Sequence, residues 1–351
     1  MGTHNKTVTV IGLGKLGLPL ACILAKHYNV IGIDSKPKHI RRLDSGENPI
    51  DERGLDKWFD WYHTDIQFTT NYALLEGVTF VVVPTPSLHD HRFTSRYVEE
   101  VLGNIHISTT VAIVSTLMPG ETDRLQELYP HLNLVYNPTF IALGSVIRNF
   151  LKPNFILLGT HDADNVKGLA AIYNNVCYYP KYQVMTPLEA EIAKLTLNCY
   201  ITTKITFANQ IGNLCHQVGV DPTNILEVVG MDKRVGKKCF KAGLGYGGPC
   251  FPRDNQAMTR YMLDNQVNPK LSDTIHILNS LQVEETLNRI RKLHPESVGF
   301  KSLSYKKGTH HEEQSQLRMI HDILLDKGYN VIDGKGGEIN LDWDGITKKE
   351  G

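Results

Sequence analysis

The stretch Thr7-Val8-Thr9-Val10-Ile11-Gly12-Leu13-Gly14-Lys15-Leu16-Gly17, followed by Asn29-Val30-Ile31-Gly32-Ile33-Asp34, decides the fold. A β-branched run ends in glycine. A helical segment is predicted over 16–26, and a second β-branched run then closes on an acid. Strand, helix and strand over some thirty residues make a β-α-β unit. The three glycines have separate tasks in such a unit. Gly12 permits the tight turn after the strand. Gly14 lets the backbone approach a pyrophosphate, and Gly17 allows the helix to pack close on the strand.

Working outward, further apolar strands are expected at 78–83, 111–115, 134–136 and 155–158, separated by helical or loop segments. That alternation predicts a parallel, doubly wound sheet, Rossmann-like in class. The texture changes after Pro187. A long helical pattern runs from 188 to about 218, interrupted at Gln210-Ile211-Gly212, and helical signals continue at 224–229, 256–264 and 272–293. A strand pattern restarts at Val298-Gly299-Phe300. A helix at 316–326 and a strand at 329–333 complete a small β-α-β unit, and the tail from Gly334 is expected to be partly mobile. The predicted fold class is α/β: an N-terminal dinucleotide-binding domain (1–186), a central helical domain (187–294) and a short C-terminal α/β domain (295–351).

The helix N-terminus after Gly12 offers N–H groups to phosphate. Asp34 stands where an acid accepts hydrogen bonds from an adenosine ribose and disfavours a 2′-phosphate, so NAD is expected over NADP. The cofactor loop is then Gly12, Leu13, Gly14, Leu16 and Gly17, with Asp34.

Composition limits the partners. The 351 residues are 41% apolar and 21% charged, with Lys+Arg and Asp+Glu balanced at 37 each. Such a balance argues against nucleic acid or an anionic membrane as partner. No apolar run reaches membrane-spanning length. The N-terminal residues enter a strand directly, so no signal peptide is expected, and Gly2 lacks the hydroxyl residue of a myristoylation signal. The six cysteines form no CxxC pair and no zinc-ligand spacing, so no metal is expected. They are read as reduced thiols in a cytoplasmic setting, most of them small buried hydrophobes, with Cys250 the exception.

Cys250 lies in Gly247-Gly248-Pro249-Cys250-Phe251-Pro252-Arg253-Asp254. The turn 245–249 reads as too glycine-rich for packed core and suited to close approach of a ligand, with Gly247 among the binding positions. A dinucleotide site together with a nucleophilic thiol points to oxidation through a covalent thiohemiacetal. A buried structural thiol is the alternative. Glu191, Lys194 and Asn198, at i, i+3 and i+7, share one helix face. Alone, that pattern reads as a solvated face.

Together these pieces resemble the nucleotide-sugar dehydrogenases, the family of UDP-glucose and GDP-mannose dehydrogenases. Further marks are Pro84-Thr85-Pro86, Ser115-Thr116 with Pro119-Gly120, Asn137-Pro138, and Asp232 through Gly236. The resemblance implies oxidation of a sugar's primary alcohol to a carboxylate with two NAD⁺, a homodimer built on the central region, and a place in polysaccharide biosynthesis. It implies that Pro84 and Thr85 lie at the cofactor. Cys250 becomes the nucleophile, and Lys194 and Asn198 the oxyanion-stabilising pair. Asp254 acts with water in proton transfer, and Thr116 orients that water. Arg234 reaches a neighbouring subunit's nucleotide site, and Lys241 and Lys306 contact substrate.

The sequence also departs from that pattern. Thr139 and Leu143 stand where the family carries glutamates, the first of them associated with thioester hydrolysis, and a threonine is no general base near neutral pH. Glu313 falls where an arginine is expected and would repel a diphosphate. The chain also stops soon after its second C-terminal strand. His310-His311-Glu312-Glu313 reads as a polar surface loop rather than a metal site. Three readings follow: a full dehydrogenase, an altered one stopping at the aldehyde, and a non-catalytic NAD-binding relative. Ile201, Ile205, Ala208 and Ile211 form an apolar stripe that serves as internal core or as a dimer seam.

Overall fold

The computed structural model describes residues 6–334 and 336–348. The expectations for the extreme N-terminus, on the signal peptide and Gly2, lie outside these residues. The chain divides into two compact units, Met1–Lys194 and Leu195–Gly351.

The first unit is built on eight strands: β1 (Thr7–Ile11), β2 (Asn29–Ile33), β3 (Ile66–Thr69), β4 (Val78–Val81), β5 (Thr110–Ile113), β6 (Asn133–Tyr136), β7 (Ile156–Gly159) and β8 (Tyr182–Met185). Their order is β3-β2-β1-β4-β5-β6-β7-β8. Helices α1 (Gly17–Ala25), α2 (Pro37–Asp44), α3 (Leu55–Tyr62), α4 (Arg96–Gly103), α5 (Glu121–Leu128), α6 (Val146–Leu151) and α7 (Ala163–Val176) connect them. One apolar cluster holds Val8, Val10 and Phe80 with α1, and a second holds Ile11, Val81 and Ile113 with α4. The central strands are therefore buried on both faces, which explains their unbroken β-branched runs.

The doubly wound class expected from the sequence is present, with a reversal at one edge. β1 through β6 pair in parallel, but β7 meets β6 antiparallel through Tyr136 and Gly159, and β8 follows β7 in parallel. β3 and β8 escape the sequence reading. They are short edge strands whose outward residues are exposed, so they lack a continuous apolar run. The chain winds from β1 to β3 and then returns to β4 beside β1. The carboxyl ends of β1 and β4 thus flank the crevice where such sheets bind ligands.

Helix α8 (Pro187–Val218) starts in the first unit and continues into the second. It passes Gly212 without the expected interruption, the glycine lying tight against Ala242. The second unit adds α9 (Pro222–Met231), α10 (Phe251–Asp264), α11 (Lys270–Leu293), β9 (Val298–Phe300), α12 (Gln316–Asp326), β10 (Val331–Asp333), β11 (Ile339–Asp342) and β12 (Gly345–Lys348). The small sheet has order β10-β9-β11-β12. Val283, Leu287 and Ile290 of α11 and Leu317, Ile320 and Leu324 of α12 share a core with β9 and β11. The tail expected to be mobile instead forms the antiparallel β11–β12 hairpin, because Ile339 and Leu341 fall at alternate positions and bury. Within that tail, Lys335 and residues 349–351 lie outside the described residues. In the apolar stripe of α8, Ala208 and Ile211 face inward against Leu226 and Phe240.

Candidate active site

In the first unit the cofactor loop follows β1. Gly12 has φ +91°, and a Cβ there would collide with the carbonyl of Val82. Gly14 has open space where a Cβ would stand. Leu16 caps α1 without a side-chain hydrogen bond, and the first turn of α1 contains no acid. The loop is thus pinned on one side and open on the other, with uncapped helical N–H groups, as a pyrophosphate requires. Asp34 Oδ2 accepts from Leu13 N at 3.0 Å and Oδ1 from Lys36 N at 3.0 Å. The acid therefore fixes the loop and keeps lone pairs for a ribose hydroxyl. His39 Nε2 meets the Leu13 carbonyl at 2.9 Å, a contact absent from the sequence reading.

The ends of β4 and β5 are tied together. Ser115 Oγ donates to Val83 O at 2.7 Å and accepts from Val83 N at 3.0 Å, and Thr85 Oγ1 donates to Thr116 O at 2.7 Å. Pro84 is exposed and Thr85 buried. This fixes the backbone at Thr116 without using its hydroxyl. Beyond it, Glu191 accepts from Gly120 N (2.6 Å), Thr122 N (2.8 Å) and Thr122 Oγ1 (2.6 Å), and so caps α5. Burial pushes the Glu191 carboxyl up to about 7, against the opposing pull of those bonds.

Lys194 Nζ donates to the Thr139 carbonyl at 2.7 Å and lies 4.9 Å from the centre of the Phe140 ring. Asn137 supports this segment: its Nδ2 donates to Leu157 O at 3.0 Å, and its Oδ1 accepts from the Tyr173 hydroxyl. Leu143 packs against the first unit's core. Glu52 accepts from Gly144 N at 2.7 Å and Val146 N at 3.0 Å, closing the segment from more than 90 residues away. The solvated-face reading of Glu191, Lys194 and Asn198 is overturned, since they are 0%, 7% and 8% exposed.

In the second unit Cys250 is the exposed N-cap residue of α10. A helix N-terminus favours negative charge on the sulfur. Asp254, 1% exposed, sits one turn inside, its N–H bonded to Cys250 O at 2.8 Å. Asp254 Oδ2 accepts from Asn198 Nδ2 at 2.6 Å, and Arg253 Nε stands 3.5 Å from Oδ1. Buried beside Asp254, the Cys199 thiol is pushed up to about 12. The two thiols thus differ: Cys250 is at the surface and Cys199 is half-buried with its pKa raised.

The turn before Cys250 is more tightly packed than its glycines suggest, although Gly245, Tyr246 and Gly247 also border a cavity. Tyr246, Gly247 and Gly248 are buried. A Cβ at Gly245 would strike the side-chain amides of Asn279 and Gln316, and one at Gly248 the Tyr305 ring. Four side-chain amides hold the turn. Asn209 accepts from Gly243 N (2.9 Å) and donates to Leu244 O (3.0 Å), and Gln282 donates to Gly243 O (2.8 Å). Gln316 accepts from Gly245 N (2.7 Å), while Asn279 accepts from Tyr246 N (2.8 Å) and donates to Tyr246 O (3.0 Å). No sequence signal marks these four residues, whose partners lie 33 to 71 positions away.

Of the four expected substrate residues, Lys241, Gly247 and Lys306 line one cavity of about 270 Å³, together with Tyr305 and Trp343. Lys241 Nζ pairs with Asp344 at 2.8 Å. Arg234 is not in this group: its side chain is 90% exposed and forms a fork with Asp232. Lys204 supports that loop, its Nζ donating to the carbonyls of Val235, Gly236 and Lys238 at 2.9, 3.1 and 2.7 Å. The Glu313 carbonyl accepts from Gly248 N at 3.0 Å.

With the site described, comparison with known proteins is direct. The profile for the UDP-glucose/GDP-mannose dehydrogenase family's NAD binding domain matches residues 6–177, and that for its central domain residues 188–280. The chain is 31% identical to a UDP-glucose 6-dehydrogenase of Rickettsia bellii over 92% of its own length and 79% of the relative's. The chain belongs to the UDP-glucose/GDP-mannose dehydrogenase family. This dehydrogenase is also 28% identical to a GDP-mannose 6-dehydrogenase of Pseudomonas putida, over 92% of the chain and 79% of that protein. It resembles the solved structure of a UDP-glucose dehydrogenase from Pyrobaculum islandicum with a TM-score of 0.86 at 29% identity, covering 95% of this chain and 82% of that one. It is thus an NAD-dependent oxidoreductase of nucleotide sugars, and its cofactor is NAD. No helix among the described residues is long and apolar enough to cross a membrane.

Proposed function

We propose that this dehydrogenase oxidises the primary alcohol of a nucleotide sugar to the carboxylate through a covalent adduct on Cys250. The observation that carries this reading is an exposed thiol at the N-terminus of α10, one turn from a buried carboxylate held by an amide. Bound NAD⁺ supplies the hydride acceptor, two being consumed per sugar, and is held by Gly12, Leu13, Gly14, Leu16, Gly17 and Asp34 with Pro84 and Thr85 beside them. Loss of hydride and proton from the alcohol leaves an aldehyde. The Cys250 sulfur adds to its carbonyl carbon, giving a thiohemiacetal, and loss of a second hydride gives a thioester. Water releases the acid and restores the thiol. Lys194 and Asn198 donate to the oxygen that gains charge in these steps. Asp254 and Thr116 serve water and proton transfer. Lys241, Gly247 and Lys306 bind the nucleotide, and Arg234 reaches across to a second subunit.

The organisation proposed for the chain is three domains, 1–186, 187–294 and 295–351, working as a homodimer in the cytoplasm, where the thiol stays reduced. Dimerisation is supported by Tyr200, Phe207, Leu214 and Val218, exposed at heptad-like spacing on α8. The mass of the protein in solution, and that of Phe207→Glu, tests it.

One observation favours a shortened reaction: residue 139 is threonine and residue 143 is a leucine packed against the core, so neither supplies a carboxylate for thioester hydrolysis. NADH formed per sugar consumed, over a panel of UDP- and GDP-sugars with Cys250→Ala as control, decides. Two NADH support the complete oxidation. One NADH with a trapped aldehyde or thioester supports the shortened reaction. No turnover with an unreactive Cys250 would overturn both.

A further inference from the structure

The largest of the cavities described, about 430 Å³, lies in the second unit between the end of α8, the first turns of α9, α11 and the β11–β12 hairpin. It shares Lys241, Ala242 and Asp344 with the cavity assigned to substrate, but its other charged lining residues are different. Arg289 of α11 is half-buried there. Among the described residues nothing accepts a hydrogen bond from its guanidinium, and burial is what holds it below the usual arginine range. His216 at the end of α8 is held below its ordinary range by burial and by the Arg289 charge. A cation withdrawn from water without a counter-charge is costly, and an anion relieves that cost.

The acids in the lining do not supply this counter-charge. Asp221 caps α9, accepting from Thr223 N at 2.9 Å. Asp344 is paired with Lys241. Three acids, Asp221, Glu227 and Asp344, and three bases, Lys237, Lys241 and Arg289, line the cavity, so its formal charge is balanced. What is left unmet is local: among the described residues none of these carboxylates accepts from the Arg289 guanidinium. The opposite wall is apolar, formed by Leu226, Phe240 and Ile346. A cavity of this volume is in the range that holds a small organic ligand.

We propose that this cavity binds a small organic phosphate, its anionic group held by Arg289 and Lys237 and its body lying against Leu226 and Phe240. A guanidinium fork donates to two phosphate oxygens at once, and the apolar wall adds affinity that inorganic phosphate cannot gain.

The test uses the full chain and phenyl phosphate as probe, with binding followed by calorimetry. The wild type should bind it at least tenfold more tightly than inorganic phosphate. Arg289→Gln should weaken binding tenfold to a hundredfold, the loss expected for a hydrogen bond to a charged group. His216→Glu, at an exposed position, should do the same by giving Arg289 a carboxylate without removing core packing. Lys306→Ala, in the substrate cavity, should leave probe binding unchanged. Absence of binding, binding indifferent to both Arg289→Gln and His216→Glu, inorganic phosphate binding as tightly as the probe, or loss of binding in Lys306→Ala each overturns the proposal.

Discussion

Asn198 Nδ2 donates to Asp254 Oδ2 at 2.6 Å, so an amide on α8 holds the only carboxylate in the first turn of the helix that begins at Cys250. Asp254 is 1% exposed, and a buried carboxylate without donors costs more than the net value of one hydrogen bond. Asn198→Ala should destabilise the protein by about 1–3 kcal/mol in urea unfolding and depress turnover. Asn198→Asp, which sets two carboxylates together, should be worse on both counts and should improve as pH falls. Equal effects of Ala and Asp at every pH would count against a charge-specific role.

Glu191 gives a pH dependence of stability. Its carboxyl lies near 7 in the fold against an ordinary 4.5, so the folded chain binds the extra proton between these values. Stability from this group is fully present below about 4.5 and falls as pH rises toward 7, by about 3 kcal/mol for a shift of that size. Comparing unfolding free energy from pH 5 to 8 in the wild type and Glu191→Gln checks this. The variant should lose that component of the slope.

The amide clamp should be sensitive to single replacements. Gln316→Leu leaves the Gly245 N–H without its partner, at a cost of about 1–3 kcal/mol, and removes an added donor from the Asn279 carbonyl. Loosening of the turn should change the alkylation rate of Cys250 more than it changes NAD⁺ affinity, because the clamp lies wholly in the second unit. A parallel loss of NAD⁺ binding would point to general unfolding instead.

Asp34 anchors the cofactor loop through Leu13 N and Lys36 N. Asp34→Ala should raise the KM for NAD⁺ at least tenfold and narrow the preference over NADP⁺, since the repulsion of a 2′-phosphate is removed. Initial rates with both cofactors measure it.

Thr139 is the position at which added chemistry is expected. Thr139→Glu should speed release of the acid about a hundredfold if hydrolysis limits turnover, the low end of general-base assistance. The Lys194 contact is to the backbone of residue 139 and survives the change. Single-turnover measurement of acid release gives the readout, and an unchanged rate would mean that water is activated from elsewhere.

Much of this was legible from residue order. The β1–α1–β2 unit and its acid follow from β-branched runs, glycine spacing and one carboxylate, all local. The helix at 316–326 falls where its apolar period places it. What failed has a common cause. Glu191, Lys194 and Asn198 look like a solvated face because their partners, such as Thr122 and Thr139, lie more than fifty positions away. The glycines at 245, 247 and 248 look like open turn, but protein atoms stand where their Cβ atoms would be, even though Gly245 and Gly247 also border a cavity.

The sequence by itself determined the winding of the sheet, the cofactor loop and the candidate thiol, because periodicity, turn chemistry and side-chain reactivity act over a few residues. Only the tertiary structure decided that β7 and β8 reverse, that the turn before Cys250 is gripped by four amides, that Arg234 stands apart from Lys241 and Lys306, and that Arg289 is left half-buried with no hydrogen-bond acceptor among the described residues. Those features depend on which distant side chain arrives to satisfy a buried polar group or fill a gap. A buried hydrogen bond or charge has no value until both partners are in place, and a linear pattern does not encode that meeting.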